Sequence, residues 1–240
     1  SIILQLKNLS SADLYESNKK IMRWLADGFI FKREDRQQKD IHIELIDYSG
    51  LPPQTQSRNL DNIVAEQQAK YGKDHNIYKF VNQLEIVGTE KRIPDGIIYI
   101  NGLPVVVIEA KSPKVKEPIP EAIDQLLRYS EQRGNTGEGS KELFYYNQFI
   151  ITTCRTEAKF GTISTHTPKY FYRWTDPYPR TLNDLKHGAS SPNDQQRLVA
   201  GMLDRKNLLD IIRVFTIFTI DDKGKKIKIV GRYQQFRAVK

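Results

Sequence analysis

The stretch Arg92–Lys111 reads RIPDGIIYINGLPVVVIEAK and consists of two short apolar runs joined by Asn101-Gly102. An Asn-Gly pair between such runs is a strong signal for a tight β-hairpin turn. The second run is apolar on both faces, which predicts a central strand covered on both sides. It nevertheless ends in Glu109 and Lys111, and a second acid, Asp95, stands at the head of the first run. The hairpin therefore fixes both a strand pair and the position of three charged side chains.

The length of the hairpin loop decides whether the two acids meet. A two-residue turn pairs Ile100 with Leu103 and puts Asp95 and Glu109 on opposite faces of the sheet. A three-residue loop, or an equivalent bulge, sets Asp95 opposite Glu109, and we expect one of these two arrangements. Because side chains alternate between faces along a strand, Lys111 points the same way as Glu109.

Two directly opposed carboxylates repel each other, and three arrangements relieve the repulsion. The pair can share a proton, can be offset by Lys111, or can hold a divalent cation. Mg²⁺ prefers oxygen ligands and keeps several waters, so two carboxylates and a backbone carbonyl suffice. A bound Mg²⁺ can polarise a phosphoryl oxygen, with Lys111 placed to orient the attacking water or to stabilise negative charge. The simpler alternative is a surface ion pair of Glu109 with Lys111 and a turn role for Asp95.

The helix that follows the hairpin, predicted from Glu121 to Arg133, carries two further candidate residues. Gln125 and Tyr129 are four positions apart, so they lie on one side of the helix beside its apolar stripe. Gln125 can anchor Lys111 or a phosphate, and Tyr129 can donate to a phosphate. The alternative is a solvated Gln125 and a Tyr129 at the margin of the core.

The rest of the chain alternates between helical and extended patterns, which predicts an α/β protein. Turn-rich composition between residues 175 and 195 suggests a domain boundary there. We expect helices at 11–28 (capped by Ser10 or Ser11 and ended by Gly28), 59–71, 194–204 and 206–214. We expect strands at 40–49, 77–87 and 143–154, and a β pattern from about 215 to the C-terminus.

Composition limits the possible functions. The 240 residues suit one large domain or one domain plus part of another, and the net charge of +8 favours a polyanionic partner such as nucleic acid. A single cysteine, Cys154, excludes disulfides within the chain and a zinc site of several cysteines. The sequence has no GxxxxGK[ST] loop and no GxGxxG. Its longest apolar tract, 211–220, is too short to span a membrane, so we expect no membrane association. The single cysteine is compatible with a reducing compartment, so we expect a cytoplasmic location.

These residues together resemble a known nuclease motif. Pro94-Asp95, Glu109-Ala110-Lys111 and Gln125-x-x-x-Tyr129 are similar to the PD…ExK motif with the QxxxY extension of RecB-type nucleases. The blocks VNQLEI, RIPDGIIYINGLPVVVIEAKSP, LFYYNQFIITT and TEAKFGT resemble the N-terminal nuclease region of the restriction (R) subunit of type I restriction–modification enzymes.

The resemblance implies a restriction-endonuclease-like mixed central sheet flanked by helices, followed by the start of a helicase-type motor domain. Residues 1–178 would form the endonuclease domain, and 179–240 the linker and first elements of an ATP-dependent translocase. The resemblance implies that Asp95 and Glu109 bind Mg²⁺, that Lys111 completes the catalytic centre, and that Gln125 and Tyr129 support DNA cleavage. It also implies double-stranded DNA and the methylation (M) and specificity (S) subunits as partners.

The terminal segment RYQQFRAVK resembles the lead-in to the motor, but no phosphate loop follows it, so the chain is interpreted as a fragment. ATP is therefore expected to serve only the full-length subunit. Glu16 is a candidate for a further acid on an early helix, but its spacing is not diagnostic and it is not included in the site. Two other functions stay open: a catalytically silent DNA-docking or assembly module, and a free-standing repair or resolvase-type nuclease. The YYNQF…TEAKFGT blocks and the motor-like tail argue against the latter.

Overall fold

The computed structural model describes residues 13–33, 37–51, 73–87, 90–188 and 190–240. The helix predicted at 59–71 lies outside these ranges. In chain order, the elements are α1 (Leu14–Asp27), β1 (Phe29–Phe31), β2 (Ile41–Ile43), β3 (Tyr78–Asn82), β4 (Ile86–Val87), β5 (Lys91–Arg92), β6 (Gly96–Ile100), β7 (Leu103–Ala110), α2 (Pro118–Tyr129), α3 (Lys141–Tyr145), β8 (Phe149–Cys154), β9 (Glu157–Gly161), a short 3-10 helix (Pro168–Tyr170), α4 (Asp194–Gly201), α5 (Arg205–Arg213), β10 (Thr216–Ile220), β11 (Lys226–Val230) and α6 (Tyr233–Val239).

A mixed five-stranded sheet forms the centre of the protein, in the order β3-β6-β7-β8-β9. Only the pairing of β7 with β8 is parallel, and the other three pairings are antiparallel. The parallel pair is joined through α2 and α3, because parallel strands require a crossover connection. The predicted mixed sheet flanked by helices is confirmed.

Strand β7 is the central strand and is covered on both faces, as its apolar sequence predicts. Val105, Val106 and Val107 are fully buried. Val107 belongs to a core cluster with Ile119 and Ile123 of α2, whereas Val106 belongs to a larger cluster on the opposite face. Burial on both faces explains why alternation of polar and apolar residues is absent from this strand.

Several predicted boundaries are shorter than the patterns suggested. Helix α1 begins at Leu14 with Asp13 as its N-cap, whose side chain accepts from the Tyr15 N–H. The alternative caps Ser10 and Ser11 lie outside the described residues. Gly28 ends the helix as predicted, with a φ of 71° that a residue with a side chain rarely adopts. The strands predicted at 40–49 and 77–87 are reduced to β2 and to the separate β3 and β4.

The strand predicted at 143–154 is wrong at its start, because residues 141–145 form helix α3. The aromatic residues Phe144 and Tyr145 are buried in different core clusters, which a single helical turn permits. Asn18 of α1 places its amide nitrogen 2.9 Å from the Phe144 carbonyl oxygen and 3.1 Å from that of Tyr145. A buried donor at the end of α3 therefore outweighs the β propensity of its residues. Strand β8 begins only at Phe149 and ends in the buried Cys154.

The C-terminal part of the chain packs on the same core as the sheet. Its predicted helices are confirmed as α4 and α5, and β10 pairs with β11 in a separate antiparallel hairpin. The β pattern predicted to continue to the end is wrong after Val230, where α6 forms and buries Phe236 beside Trp174 and Phe215. Most of the buried apolar residues of α4–α6 belong to the cluster that covers one face of the central sheet. The assignment of 179–240 to a motor stays a prediction.

Candidate active site

The hairpin of β6 and β7 brings Asp95 and Glu109 to one edge of the sheet. Its turn is the two-residue Asn101-Gly102, so the predicted three-residue loop is wrong. Both turn residues have positive φ, 52° and 83°, which Asn and Gly tolerate and which matches the twist of the strands. The alternative, an equivalent bulge, is confirmed: Tyr99 pairs with Pro104, but Ile98 pairs with Val106.

The bulge is located at Val105, which has no partner on β6. The Val105 carbonyl instead accepts from the Gln148 N–H at 2.7 Å, at the chain that leads into β8. Beyond the bulge Gly96 pairs with Ile108, so one further step along the hairpin sets Asp95 beside Glu109. The extra residue shifts the register, so the side chains of β7 beyond the bulge point to the opposite face from the one they would have in a regular hairpin. This shift brings the two acids together.

The carboxyl group of Glu109 is buried and lies close to that of Asp95. Glu109 is 1% exposed, and its Oε2 has no hydrogen-bond partner within the described residues. Burial, as the main cause, and the negative charge of Asp95 together raise the pKa of Glu109 to about 7, and Lys111 opposes the shift. Asp95 Oδ2 accepts from the Ala110 N–H at 2.8 Å, which holds its carboxylate against β7.

Lys111 directs its ammonium group back towards Glu109. Its backbone N–H donates to the Thr153 carbonyl at 2.9 Å, which extends the β7–β8 pairing past the end of the strand. Its Nζ lies 3.2 Å from Glu109 Oε1 and also donates to Gln125 Oε1. Lys111 therefore shares a face with Glu109, as the alternation along the strand predicts.

Gln125 and Tyr129 connect α2 to both halves of the acid pair. Gln125 donates to the Tyr129 hydroxyl, and that hydroxyl donates in turn to the Ile93 carbonyl at 3.3 Å. Ile93 stands two residues before Asp95, so the helix is tied to the segment that carries this acid. Tyr129 is only 4% exposed, so it is a core residue with a polar end and not the marginal residue of the simpler alternative.

Two neighbours of the site were not singled out by the sequence analysis. The Glu121 carboxylate of α2 lies 3.9 Å from Lys111 Nζ. Its position four residues before Gln125 indicates that the two side chains lie on the same side of the helix. Thr152 pairs with Glu109 across the parallel strands and is buried, and its hydroxyl has no partner among the residues that the structure describes. No periodicity or motif could have indicated Thr152, because the pairing of β7 with β8 is a tertiary contact. Glu16, the early-helix candidate, pairs with Lys226.

The acid pair fits a divalent cation chemically. An unpartnered buried carboxylate oxygen beside a second carboxylate is the environment in which a hard cation removes both repulsion and desolvation cost. Within the described ranges, no group of three or more His, Cys, Asp or Glu side chains is arranged to hold a metal ion. Protein ligands would thus be Asp95 and Glu109 with a backbone carbonyl, and water would complete the shell.

A mixed five-stranded sheet with two acids and a lysine at one edge is compatible with the class of restriction-endonuclease-like nucleases. Comparison with protein families identifies one family within this class. A family model described as "Type I restriction enzyme R protein N terminus" matches residues 1–169. The chain belongs to this family.

Relatives named as endonuclease subunits of type I restriction enzymes match most of the chain. It is 35% identical over 170 residues to the type I restriction enzyme HindI endonuclease subunit of Haemophilus influenzae, and 31% identical over 169 residues to the putative MjaVIIIP endonuclease subunit of Methanocaldococcus jannaschii. These matches cover 69% and 70% of this chain but only 15% of each relative. The EcoprrI endonuclease subunit of Escherichia coli is 24% identical over 235 residues, covering 96% of this chain and 67% of the relative. No helix in the described part of the chain is long and apolar enough to cross a membrane.

Proposed function

We propose that the chain is the Mg²⁺-dependent DNA endonuclease region of a type I restriction enzyme R subunit. The observation that carries the proposal is the buried Glu109 carboxyl beside Asp95: one of its oxygens accepts from Lys111, and the other has no partner in the described part of the chain. A buried acid in this state has no structural use that an apolar residue would not serve better. Binding a cation would give this buried carboxyl a function.

The side chains divide the work of phosphodiester hydrolysis. Bound between Asp95 and Glu109, Mg²⁺ would polarise a phosphoryl oxygen and lower the pKa of a bound water. Lys111 carries the positive charge that orients the water or stabilises the charge developing on the phosphate. Gln125 holds the ammonium group of Lys111 in place, and Tyr129 holds the segment before Asp95, so both are positioning residues.

Further activities of the whole subunit are part of the same proposal. The Escherichia coli relative aligns with 96% of the chain, which supports assigning 179–240 to the R subunit as well. In the full-length protein this segment would lead into the ATP-driven translocase, and cleavage would follow translocation. Double-stranded DNA would be the substrate, the M and S subunits the partners, and the cytoplasm the location.

The test combines metal binding with DNA cleavage. Asp95→Asn, Glu109→Gln and Lys111→Ala are each expected to reduce Mg²⁺-dependent cleavage by the assembled enzyme at least about 100-fold, because each removes a charge at the reacting phosphate. Only the two acid variants should also weaken Mn²⁺ binding in calorimetry. The surface variant Asp124→Asn is the matched control and should cut at the wild-type rate. Wild-type cleavage by all three site variants would refute the proposal.

A catalytically silent docking or assembly module is the second candidate. It is favoured by one observation: the described residues offer two acidic side chains and not three for a metal ion. In that case the chain would bind DNA through its net charge of +8, with strong salt dependence and no Mn²⁺ binding. The third alternative, a free-standing repair or resolvase-type nuclease, is disfavoured by the family to which the chain belongs.

A further inference from the structure

The ammonium group of Lys111 lies in a row of acidic groups that runs from the core to solvent. On the inner side is Glu109, 3.2 Å away, with a side chain 2% exposed. On the outer side is Glu121, 3.9 Å away, with a side chain 55% exposed. Lys111 itself is 13% exposed, so of its two acidic neighbours Glu121 is the one on the solvent side.

Glu121 is placed there by the geometry of α2. Glu121, Gln125 and Tyr129 follow each other at intervals of four residues, so they form one line along the helix. Glu121 lies in the first turn, where a carboxylate is favoured by the helix dipole. The next acid of the helix, Asp124, points elsewhere and pairs with Arg133 at 2.9 Å.

We infer that Glu121 is a competing anion that occupies the phosphate-facing side of Lys111 until DNA displaces it. The inference rests on the proposed nuclease function, because it takes Lys111 as the group that meets the scissile phosphate. A phosphodiester approaching from solvent carries the same charge as Glu121 and needs the same ammonium group. Glu121 therefore has to release Lys111 before the phosphate can bind, and DNA affinity is lowered by the strength of this ion pair.

The test measures binding of a short fluorescent duplex DNA by anisotropy, in EDTA so that no cleavage occurs. Glu121→Gln is expected to bind about two- to fivefold more tightly than Asp124→Asn, the range that one exposed ion pair supports. Both variants remove one negative charge from an exposed position of the same helix, so their difference isolates the contact with Lys111. In a Lys111→Met background the difference between the two variants should vanish.

Three outcomes would overturn the inference. Equal affinities of Glu121→Gln and Asp124→Asn would reduce the effect to net charge, and a difference that persists in the Lys111→Met background would place its origin elsewhere. Weaker DNA binding by Glu121→Gln would likewise exclude a competing anion. Failure of the nuclease proposal is detected separately, as the absence of Mg²⁺-dependent cleavage by the wild-type assembled enzyme. Melting curves establish that each variant is folded.

Discussion

At the scale of single residues, Glu109 is the side chain of the site whose negative charge is most unfavourable in the folded protein. Its carboxyl group is buried beside another acid, and its pKa is raised from 4.5 to about 7. An acid whose pKa is higher in the folded protein than in the unfolded chain binds its proton more tightly in the folded state. Folding favours the neutral carboxyl over the carboxylate, so the free energy of unfolding falls as the pH rises from about 4.5 to about 7.

Glu109→Gln should consequently stabilise the protein in a pH-dependent way. The variant cannot ionise, so its free energy of unfolding relative to wild type should increase from pH 5 to pH 8, by at most about 3 kcal/mol for a shift of this size. Urea unfolding in EDTA at the two pH values measures this difference. Adding Mg²⁺ at pH 8 should stabilise wild type but not the variant.

The surface variant Glu85→Gln serves as the control, because Glu85 is exposed and paired with Lys91. It should change stability by less than about 0.5 kcal/mol at either pH. A gap between Glu109→Gln and wild type that is independent of pH would show that Glu109 is ionised in the folded protein throughout.

The residues of the site were predictable because a short hairpin and one helix supply them all. Asp95, Glu109 and Lys111 follow from strand alternation plus one shift of register, and Gln125 and Tyr129 from helical spacing. The position of the shift was not predictable. The bulge at Val105 leaves its carbonyl to accept from the backbone N–H of Gln148, and this contact joins residues that are far apart in the sequence.

At the scale of elements, the junction before β8 depends on one buried amide. Asn18 is fully buried, and its nitrogen lies within hydrogen-bond distance of the Phe144, Tyr145 and Asn147 carbonyls. Its Oδ1 accepts from the buried Lys228 of β11 at 2.8 Å. Burial lowers the pKa of Lys228 well below its usual value. The lysine faces three oxygen acceptors, on Asn18, Asn147 and Gln148.

Asn18→Ala should therefore lower the free energy of unfolding by about 3 kcal/mol, since it leaves several buried carbonyls and the amino group of Lys228 short of a partner. Chemical denaturation measures the loss. Asn135→Ala is the matched control in an exposed loop and should cost less than about 0.5 kcal/mol. Similar losses for both variants would mean that the network around Asn18 contributes no net stability.

The same junction explains why the sequence was misread at this point. Phe144 and Tyr145 have high β propensity, but the donor on α1 and the burial of their rings in two clusters favour a helix. The misassigned C-terminus has a similar cause. The pattern of 233–240 is weak by itself, and α6 forms where Phe236 fits between Trp174 and Phe215.

At the scale of the whole molecule, one hydrophobic core crosses the predicted domain boundary at 178. The cluster that covers one face of the sheet combines Ile151 and Phe160 with Leu198, Leu208 and other residues of the C-terminal helices. A composition shift indicates where a chain turns, but it does not show which surfaces are buried together. The predicted boundary rests on turn-rich composition and on the family resemblance, and neither indicates that the two parts share a core.

Ending the chain after residue 178 should therefore abolish cooperative unfolding. The truncated protein would expose the face of the sheet that α4, α5 and α6 cover, and would bind a dye specific for apolar surface. A melting curve compared with the 240-residue chain measures the effect. If residues 1–178 unfold cooperatively at the same temperature as the whole chain, the C-terminal elements are dispensable for the nuclease fold.

The position of Cys154 gives the molecule an intrinsic chemical reporter. It is the only thiol of the chain, it is buried at the end of β8, and its neighbour Thr153 accepts the Lys111 N–H. Because the thiol is buried, the rate at which a thiol reagent labels it reports local opening of the structure around the end of β8. The motion of the site can thus be followed in the unaltered protein, without an attached fluorophore and without DNA.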